Sequence, residues 1–171
     1  MGWLDYSILP DISVERFKRV VLRNAGNDYN NAYLRDALMS RLVTEMNVDR
    51  VGYRPLMTIV NGRFWSLYNL REKVDEYYIS ERYGIDPQSI DLLERAGIPK
   101  AGNDDAYLAL ESMFESVSGE DDLFYETAGA LIDIENFIDF QIAGIYCGNV
   151  DSAKNRRLWK ARTGGTRWRW I

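Results

Sequence analysis

Apolar and polar residues alternate in several short stretches of the first hundred residues, a pattern typical of β-strands. Residues 16–23 alternate in this way and are rich in branched apolar side chains. Two further apolar runs, residues 53–60 and 64–70, flank the pair Asn61-Gly62. Asn-Gly between two such runs is the strongest short-range hairpin signal in a sequence. We therefore predict an antiparallel hairpin at this place.

Helical periodicity separates the predicted strands. Leu34, Leu38 and Leu42 lie on one face of a predicted helix, and Asp28 or Asn30 can cap its first turn.

A second helix and a short strand follow the hairpin. The helix is predicted from Val74 to Tyr83, where Gly84 ends it, and the strand from Ile90 to Glu94. Residues 1–100 are thus expected to form an α+β region, with a twisted antiparallel sheet and two helices.

The pattern becomes mainly helical after residue 100. Asn103 can cap one helix, residues 123–131 form a shorter one after a break at residues 118–122, and residues 134–147 carry apolar side chains at helical spacing. Gly148 and Asn149 are expected to end that last, buried helix.

Two strand-like segments close the chain, and we predict that they form a hairpin around residues 163–166. Residues 101–171 are therefore expected to form a helical region with a closing hairpin. The alternation continues to Ile171, although the last residues of a domain usually fray into polar sequence. We expect the chain to be a fragment of its domain, truncated after Ile171.

Composition restricts the chemistry that the chain can perform. The 171 residues are 46% hydrophobic and 13% aromatic, which suits one ordinary domain or two small lobes. No apolar run approaches membrane-spanning length, so we expect no membrane insertion.

The chain has no histidine, and its one cysteine, Cys147, lies on the predicted apolar helix. Ser-His, Cys-His and zinc-thiolate chemistry are excluded, and Cys147 is expected to be a buried small hydrophobe.

Charge is distributed unevenly along the chain. Residues 101–153 contain 12 acidic side chains and no Lys or Arg, residues 154–171 contain seven basic side chains and no acid, and the net charge is −5. The basic end either faces acidic residues of the chain or lies near bound phosphate. The acidic total and the lack of an interleaved basic and aromatic patch disfavour nucleic-acid binding.

The loop of residues 148–155 carries the candidate chemistry. Asp151 and Asn155 are four residues apart, between an apolar helix and a predicted strand. A carboxylate that orients a nucleophile, followed by an amide oxygen that holds a metal, suits phosphoryl transfer. The alternative is that both residues only cap or turn the backbone.

An ordered set of motifs resembles the spore coat protein H (CotH) kinase family. These motifs are residues 21–28 (VLRNAGND), 34–38 (LRDAL), 53–55 (YRP), 60–65 (VNGRFW), 68–77 (YNLREKVDEY), 149–151 (NVD), Asn155, 158–159 (LW) and 167–171 (RWRWI). No single motif is diagnostic, but the order is that of the family and the set covers nearly the whole chain.

The resemblance implies a heavily remodelled, atypical protein-kinase-like fold that transfers phosphate from ATP to protein serines. By this resemblance Asp151 is the catalytic aspartate, and Asn155 binds the Mg²⁺ or Mn²⁺ of the nucleotide. Glu72 matches the partner of a phosphate-binding cation, and Arg23 is our candidate for that cation, since a guanidinium can bind phosphate oxygens bidentately. A structural salt bridge is the alternative for Arg23 and Glu72.

Three departures from the family pattern reduce the expected activity. Ser152 stands where the family commonly has tryptophan, and Arg156 where it tends to have a second asparagine. The metal-binding aspartate that follows the family's final strand is not reached before Ile171, and no glycine-rich phosphate loop is present. We expect the fragment to have little or no kinase activity.

Other functions remain open from the residues. The main alternative is a degenerate, non-catalytic kinase-like module that acts in the assembly of a spore coat or cell-surface complex. A carboxylate-based hydrolase needs two facing acids, and the sequence indicates no convergent pair. The resemblance implies a secreted, cell-surface or spore-coat parent protein with a serine-containing protein substrate. An exposed edge left by truncation is expected to favour dimerisation.

Overall fold

The computed structural model describes residues 2–95, 97–117, 119 and 122–171. The chain forms two compact units. The first contains the chain up to Thr44 together with Arg50–Gly84, and the second contains Glu45–Asp49 together with Ile85–Ile171. Residues 85–100, which the sequence analysis placed in the first region, therefore lie in the second unit.

The first unit is built around a three-stranded antiparallel sheet. Its elements are β1 (Leu4–Asp5), β2 (Arg16–Phe17), β3 (Val20–Arg23), α1 (Arg35–Leu42), β4 (Tyr53–Val60), β5 (Arg63–Glu72) and α2 (Glu76–Tyr83). β1 pairs with β2, and the main sheet has the order β3-β5-β4. The predicted strand over residues 16–23 is interrupted, so that its two halves join different sheets.

The predicted β4–β5 hairpin is confirmed. Asn61 and Gly62 connect the strands with φ angles of +51° and +76°, and a two-residue type I′ turn requires positive φ at both positions. Residues that tolerate this conformation are thus found where the chain reverses.

Carboxylates accept backbone N–H groups at the starts of both helices of the first unit. Asp75 caps α2 by accepting the backbone N–H groups of Tyr77 and Tyr78 at 3.0 and 3.1 Å, and Gly84 ends the helix at φ +65°. The carboxylate of Asp28 accepts the N–H of Arg35, the first residue of α1, at 3.0 Å. Both predicted helices are confirmed.

The leucine face of α1 is not the buried face. Leu34, Leu38 and Leu42 are 50%, 58% and 52% exposed, whereas Ala37 is buried. Arg71 of β5 donates to Asp36 at 2.5 Å and to Ser40 at 2.8 Å. The helix therefore meets the sheet through polar side chains, which the hydrophobic period could not indicate.

The second unit combines a four-stranded antiparallel sheet with helices. Its elements are β6 (Ile90–Glu94), β7 (Ile98–Ala101), α3 (Asp105–Ser116), α4 (Asp122–Leu131), α5 (Ile134–Tyr146), α6 (Ser152–Asn155), β8 (Arg157–Ala161) and β9 (Arg169–Trp170). The sheet order is β7-β6-β8-β9. The predicted strand at residues 90–94 and the closing hairpin are confirmed, while the predicted break at residues 118–122 falls mostly outside the described residues.

Aromatic and aliphatic side chains together form a core cluster of the second unit. This core consists of Leu93, Tyr107, Leu110, Ile132, Leu158, Trp168 and Trp170. The edge of Tyr107 meets Trp168 with ring centroids 5.9 Å apart, and Phe137 of α5 packs on Trp170 at 4.8 Å. Such pairs add about 0.5–1.5 kcal/mol each beyond the burial of apolar area.

Residues 45–49, which we call the inserted segment, are held in the second unit by polar contacts. The carboxylate of Asp49 accepts the indole N–H of buried Trp159 at 2.8 Å, and Arg169 donates to the side-chain oxygen of Asn47 at 2.8 Å. Arg169 also forms an ion pair with Asp133. Arg169 of the basic end thus faces acidic residues of the second unit, which is one of the alternatives predicted for this end.

An ion pair in the β6–β7 hairpin gives a pH-dependent prediction. Lys100 donates to Glu94 at 2.8 Å, and this bond lowers the pKa of the Glu94 carboxyl below its usual value of about 4.3. A carboxyl whose pKa is lower in the folded state stabilises the protein above its unfolded pKa, and this stability is lost as the pH falls through the folded pKa.

We expect Glu94→Gln to be less stable than the native chain at pH 7 by at most about 0.5 kcal/mol, because the pair is partly solvated. The difference should shrink as the pH falls from about 5 through the folded pKa of Glu94. Urea unfolding of both proteins at several pH values measures it, and a difference that grows on acidification would contradict the prediction.

The secondary structure and the antiparallel sheets establish the fold class as α+β. Among the described residues, no helix has both the length and the apolar character needed to cross a membrane.

Candidate functional site

The candidate loop lies between α5 and β8. α5 ends at Tyr146, and Gly148 follows with φ +59°, a left-handed conformation that glycine adopts without strain. The backbone carbonyl of Asp151 then accepts the N–H groups of Lys154 and Asn155 at 2.9 and 3.0 Å. Asp151 therefore starts the single turn of α6, as the helix-capping alternative predicted for its backbone.

The side chain of Asp151 does not serve that turn. It makes no capping hydrogen bond, and both Asp151 and Asn155 are exposed. Residues four apart lie on the same side of a helical turn. The carboxylate and the amide can therefore both be reached from solvent on one side of the loop, which a purely backbone role does not require.

A shallow cavity of about 250 Å³ adjoins the loop. Phe140, Ile145, Val150 and Ser152 contribute to its lining, and Ile145 and Val150 are 80% and 95% exposed. α5 was predicted to be a buried helix, but its side chains at Ile138, Ile142 and Ile145 are 49%, 51% and 80% exposed. Cys147 is likewise half-buried rather than buried.

The residues present do not make a complete site for Mg²⁺ or Mn²⁺. In the described part of the chain, no three acidic or cysteine side chains lie close enough together to hold a metal ion. Asp151 and Asn155 offer one carboxylate and one amide, whereas these hard cations take about six oxygen ligands.

Arg23 lies at the end of β3 and pairs with a helix. Its guanidinium donates to Asp36 of α1 at 2.9 Å, and the same carboxylate oxygen accepts from Arg71. Half of the Arg23 side chain is solvent-exposed. Arg23 thus has a carboxylate partner within the first unit, which it shares with Arg71.

Glu72 is the last residue of β5, and it is buried. Its carboxylate accepts from Arg82 of α2 at 2.5 Å and from the backbone N–H of Gly52 at 2.9 Å. Arg82 also lies over the ring of Tyr78, 3.8 Å from its centroid. Arg82 is the cation that faces Glu72. It was not predicted, because nothing in the sequence distinguishes it from other basic residues near a helix end.

The structure does not bring Arg23 and Glu72 together. Arg23 is opposite Asn69 in the β3–β5 register, and Glu72 is opposite Val20. Because side chains of a strand alternate between the two faces of a sheet, Arg23 and Glu72 lie on opposite faces. Structural salt bridges, the alternative considered for both residues, are observed, but each residue pairs with its own partner.

Arg156, which departs from the family pattern, has a structural contact. Its Nε donates to the carbonyl of Arg95 at 3.1 Å, and the N–H of Arg95 donates to the carbonyl of Arg156 at 3.0 Å. The chain leaving the candidate loop is thereby attached to the end of β6.

Comparison with known proteins gives one family. A family model described as CotH kinase protein matches residues 7–171, which is nearly the whole chain. No curated protein matches the sequence.

Proposed function

The chain belongs to the CotH kinase protein family, and from this membership we propose that it takes part in the transfer of phosphate from ATP to serine side chains of a protein. The match over residues 7–171 carries the proposal. The exposed Asp151, on the loop between α5 and β8, is consistent with it.

Asp151 is the residue proposed to act on the acceptor. Its carboxylate has no capping bond to give up, so it can accept the hydrogen bond of a serine hydroxyl. The serine oxygen forms the new bond to the γ-phosphorus of ATP, the bond from that phosphorus to the β,γ-bridging oxygen breaks, and the serine proton passes to the carboxylate. ADP is the leaving group.

Asn155 is proposed as an amide ligand of the nucleotide's Mg²⁺ or Mn²⁺, by family membership alone. Arg23 is less suited to the phosphate-binding role that the resemblance implies, because it is paired with Asp36, and the cation beside Glu72 is Arg82.

The test combines calorimetric titration of ATP with a phosphate-incorporation assay on a serine-containing protein. Asp151→Asn is expected to lower incorporation by at least about a hundredfold, because a positioned general base contributes about that much or more. ATP affinity should be unchanged, since Asp151 acts on the acceptor. Glu126→Gln, at an exposed acid of α4, is the matched control and should behave as the native chain does.

Asn155→Ala is examined in the same titrations with and without Mn²⁺. If Mn²⁺ raises ATP affinity equally in the native chain and in Asn155→Ala, Asn155 is not a metal ligand. If incorporation in Asp151→Asn equals that of an active native chain, the proposed role of Asp151 is wrong.

A second candidate function is a non-catalytic assembly module. It is favoured by the separate pairing of Arg23 with Asp36 and of Glu72 with Arg82. If the native chain does not bind ATP in the presence of Mg²⁺ or Mn²⁺, this second function replaces the first. Retained ATP binding with little phosphate incorporation agrees with the low activity that the departures from the family pattern predict.

A further inference from the structure

An apolar surface covers the outer half of the β4–β5 hairpin. We name it the hairpin patch, and it consists of Met57, Ile59, Val60, Phe64, Trp65 and Leu67. Each of these side chains is between 45% and 67% exposed. Single exposed apolar residues are ordinary, but six on one hairpin are typical of a surface that another molecule covers.

The hairpin patch extends past the third strand of its sheet. β3 pairs with residues 69–72 of β5, so that residues 63–68 pair with β4 alone in the described part of the chain. The register shifts between Thr58 and Ile59, so that Trp65 has no directly opposite residue in β4, as at a β-bulge. An apolar two-stranded ribbon is marginally stable in water by itself, which favours a partner that covers it.

The charge around the hairpin patch is positive. Residues 50–71 contain four arginines and no acidic residue. Arg50 and Arg71 are paired with Asp11 and Asp36, whereas Arg63, beside the turn, is exposed and has no ion pair among the described residues. A complementary partner therefore combines apolar side chains with negative charge.

The second unit carries such a surface along α5. We name it the acidic groove: it has a volume of about 490 Å³, with Tyr125, Ile134 and Ile138 as apolar residues and Asp133, Glu135 and Asp139 as carboxylates. Arg167 is the basic residue of this lining, and it donates to the carbonyl of Gly129 at 3.4 Å. Sites that enclose a ligand have volumes of about 300–1,000 Å³, so large side chains can enter.

Glu135 is the carboxylate of the acidic groove that is available to a partner. Asp133 pairs with Arg169, and Asp139 accepts the backbone N–H of Asn47 at 2.7 Å. Glu135 is exposed, with no hydrogen bond or ion pair in the residues that the structure describes. Ile138, one turn further along α5, is 49% exposed and supplies apolar contact area.

We propose that the hairpin patch of one copy of this chain docks in the acidic groove of a second copy. Two hairpins in contact would bring Arg54 and Arg63 close to like charges, and two grooves in contact would oppose carboxylates, and both arrangements cost free energy. Contact between the unlike surfaces pairs Arg63 with Glu135 and covers apolar area on both copies.

The contact is heterologous, because its two sides are different surfaces. Each docked pair keeps one free hairpin and one free groove, so further copies add until a ring closes. The average mass in light scattering is therefore expected to rise beyond that of a dimer with concentration. It should fall with added salt, because the charges at the rim are screened.

Trp65→Ser tests the apolar half of the contact. A central tryptophan in an interface is commonly worth 2 kcal/mol or more, so self-association should weaken by at least about thirtyfold. Ile98→Ser is the matched control, since Ile98 is 51% exposed and lies outside both surfaces, and it should associate as the native chain does.

A charge exchange tests the pairing itself. Arg63→Glu alone and Glu135→Arg alone are each expected to weaken self-association by about tenfold, the effect of replacing attraction by repulsion at one pair. An equimolar mixture of the two variants should recover native association, because both contacts between unlike variants are then complementary. Arg41→Glu, at an exposed arginine of α1, is the charge control.

A native chain that stays monomeric at high concentration overturns the proposal. It is also overturned if association occurs but the mixture of Arg63→Glu and Glu135→Arg stays as weak as each variant alone. Association that is unchanged in Trp65→Ser would mean that the contact lies outside the hairpin patch. Sedimentation with anionic lipid vesicles that depends on Trp65, in a chain that does not self-associate, would mean that the hairpin patch binds membranes instead of a second copy.

Discussion

Replacing Asn136 with leucine is expected to lower the free energy of unfolding of the second unit by about 3–6 kcal/mol. The Asn136 side chain is fully buried. Its amide nitrogen donates to the carbonyls of Asn47 and Trp170 at 2.7 and 3.2 Å, and its oxygen accepts the N–H of Trp170 at 2.6 Å. Leucine has a similar size but leaves three backbone groups without these partners, and each costs about 1–3 kcal/mol.

The change is measurable by urea unfolding followed through tryptophan fluorescence. Trp159, Trp168 and Trp170 are all buried in the second unit, so their emission reports its unfolding. Gln141→Leu, at an exposed polar residue of the same helix, is the matched control and should shift stability by about 0.5 kcal/mol or less. A loss below about 1 kcal/mol in Asn136→Leu would mean that water replaces the amide at this site.

Replacing Glu72 with alanine is expected to destabilise the first unit by about 3–5 kcal/mol, because it breaks the buried ion pair with Arg82 by removing one partner. The side chains of Glu72 and Arg82 are 4% and 15% exposed. The N–H of Gly52 also loses its acceptor. Thermal unfolding by calorimetry measures the loss, and Glu81→Ala, which removes a partly exposed acid of α2, should cost about 1 kcal/mol or less.

The double replacement Glu72→Met with Arg82→Met separates a structural role from a nucleotide-binding role. Apolar side chains of similar volume commonly restore the stability of a broken buried ion pair, so most of the loss should be recovered. ATP affinity of the folded double variant should equal that of the native chain. A variant with restored stability and lost ATP binding would instead support a role of Glu72 in positioning the phosphates, as the family resemblance implies.

Elements whose conformation depends on near neighbours were predicted correctly from the sequence. The Asn61-Gly62 turn determines the β4–β5 hairpin, since few residues tolerate positive φ at two successive positions. Gly84 and Gly148 mark the ends of α2 and α5 for the same reason. The ordered motifs likewise indicated the family, which the match over residues 7–171 confirms.

Burial of helix faces was predicted less well. The period of α1 was recognised, but its leucines face solvent because Arg71 attracts Asp36 and Ser40 toward the sheet. Periodicity shows which residues share a face of a helix. It does not show which face the rest of the protein covers.

The residues of the candidate site also depend partly on local features and partly on contacts between distant parts of the chain. The position of Asp151 and Asn155 on one loop follows from the end of α5 and the start of β8, which are local features. The partners of Arg23 and Glu72 follow from the β3–β5 register and from α2, which place Asp36 and Arg82 beside them.

The sequence by itself determined the turns, the helix ends, the α+β class and the family, because each of these rests on residues within a few positions or on their order along the chain. Only the tertiary structure decided that residues 45–49 join the second unit, where Asp49 meets Trp159 and Arg169 across more than a hundred residues. Contacts at such separation depend on packing and on the direction of each side chain. A pattern read along one chain contains neither.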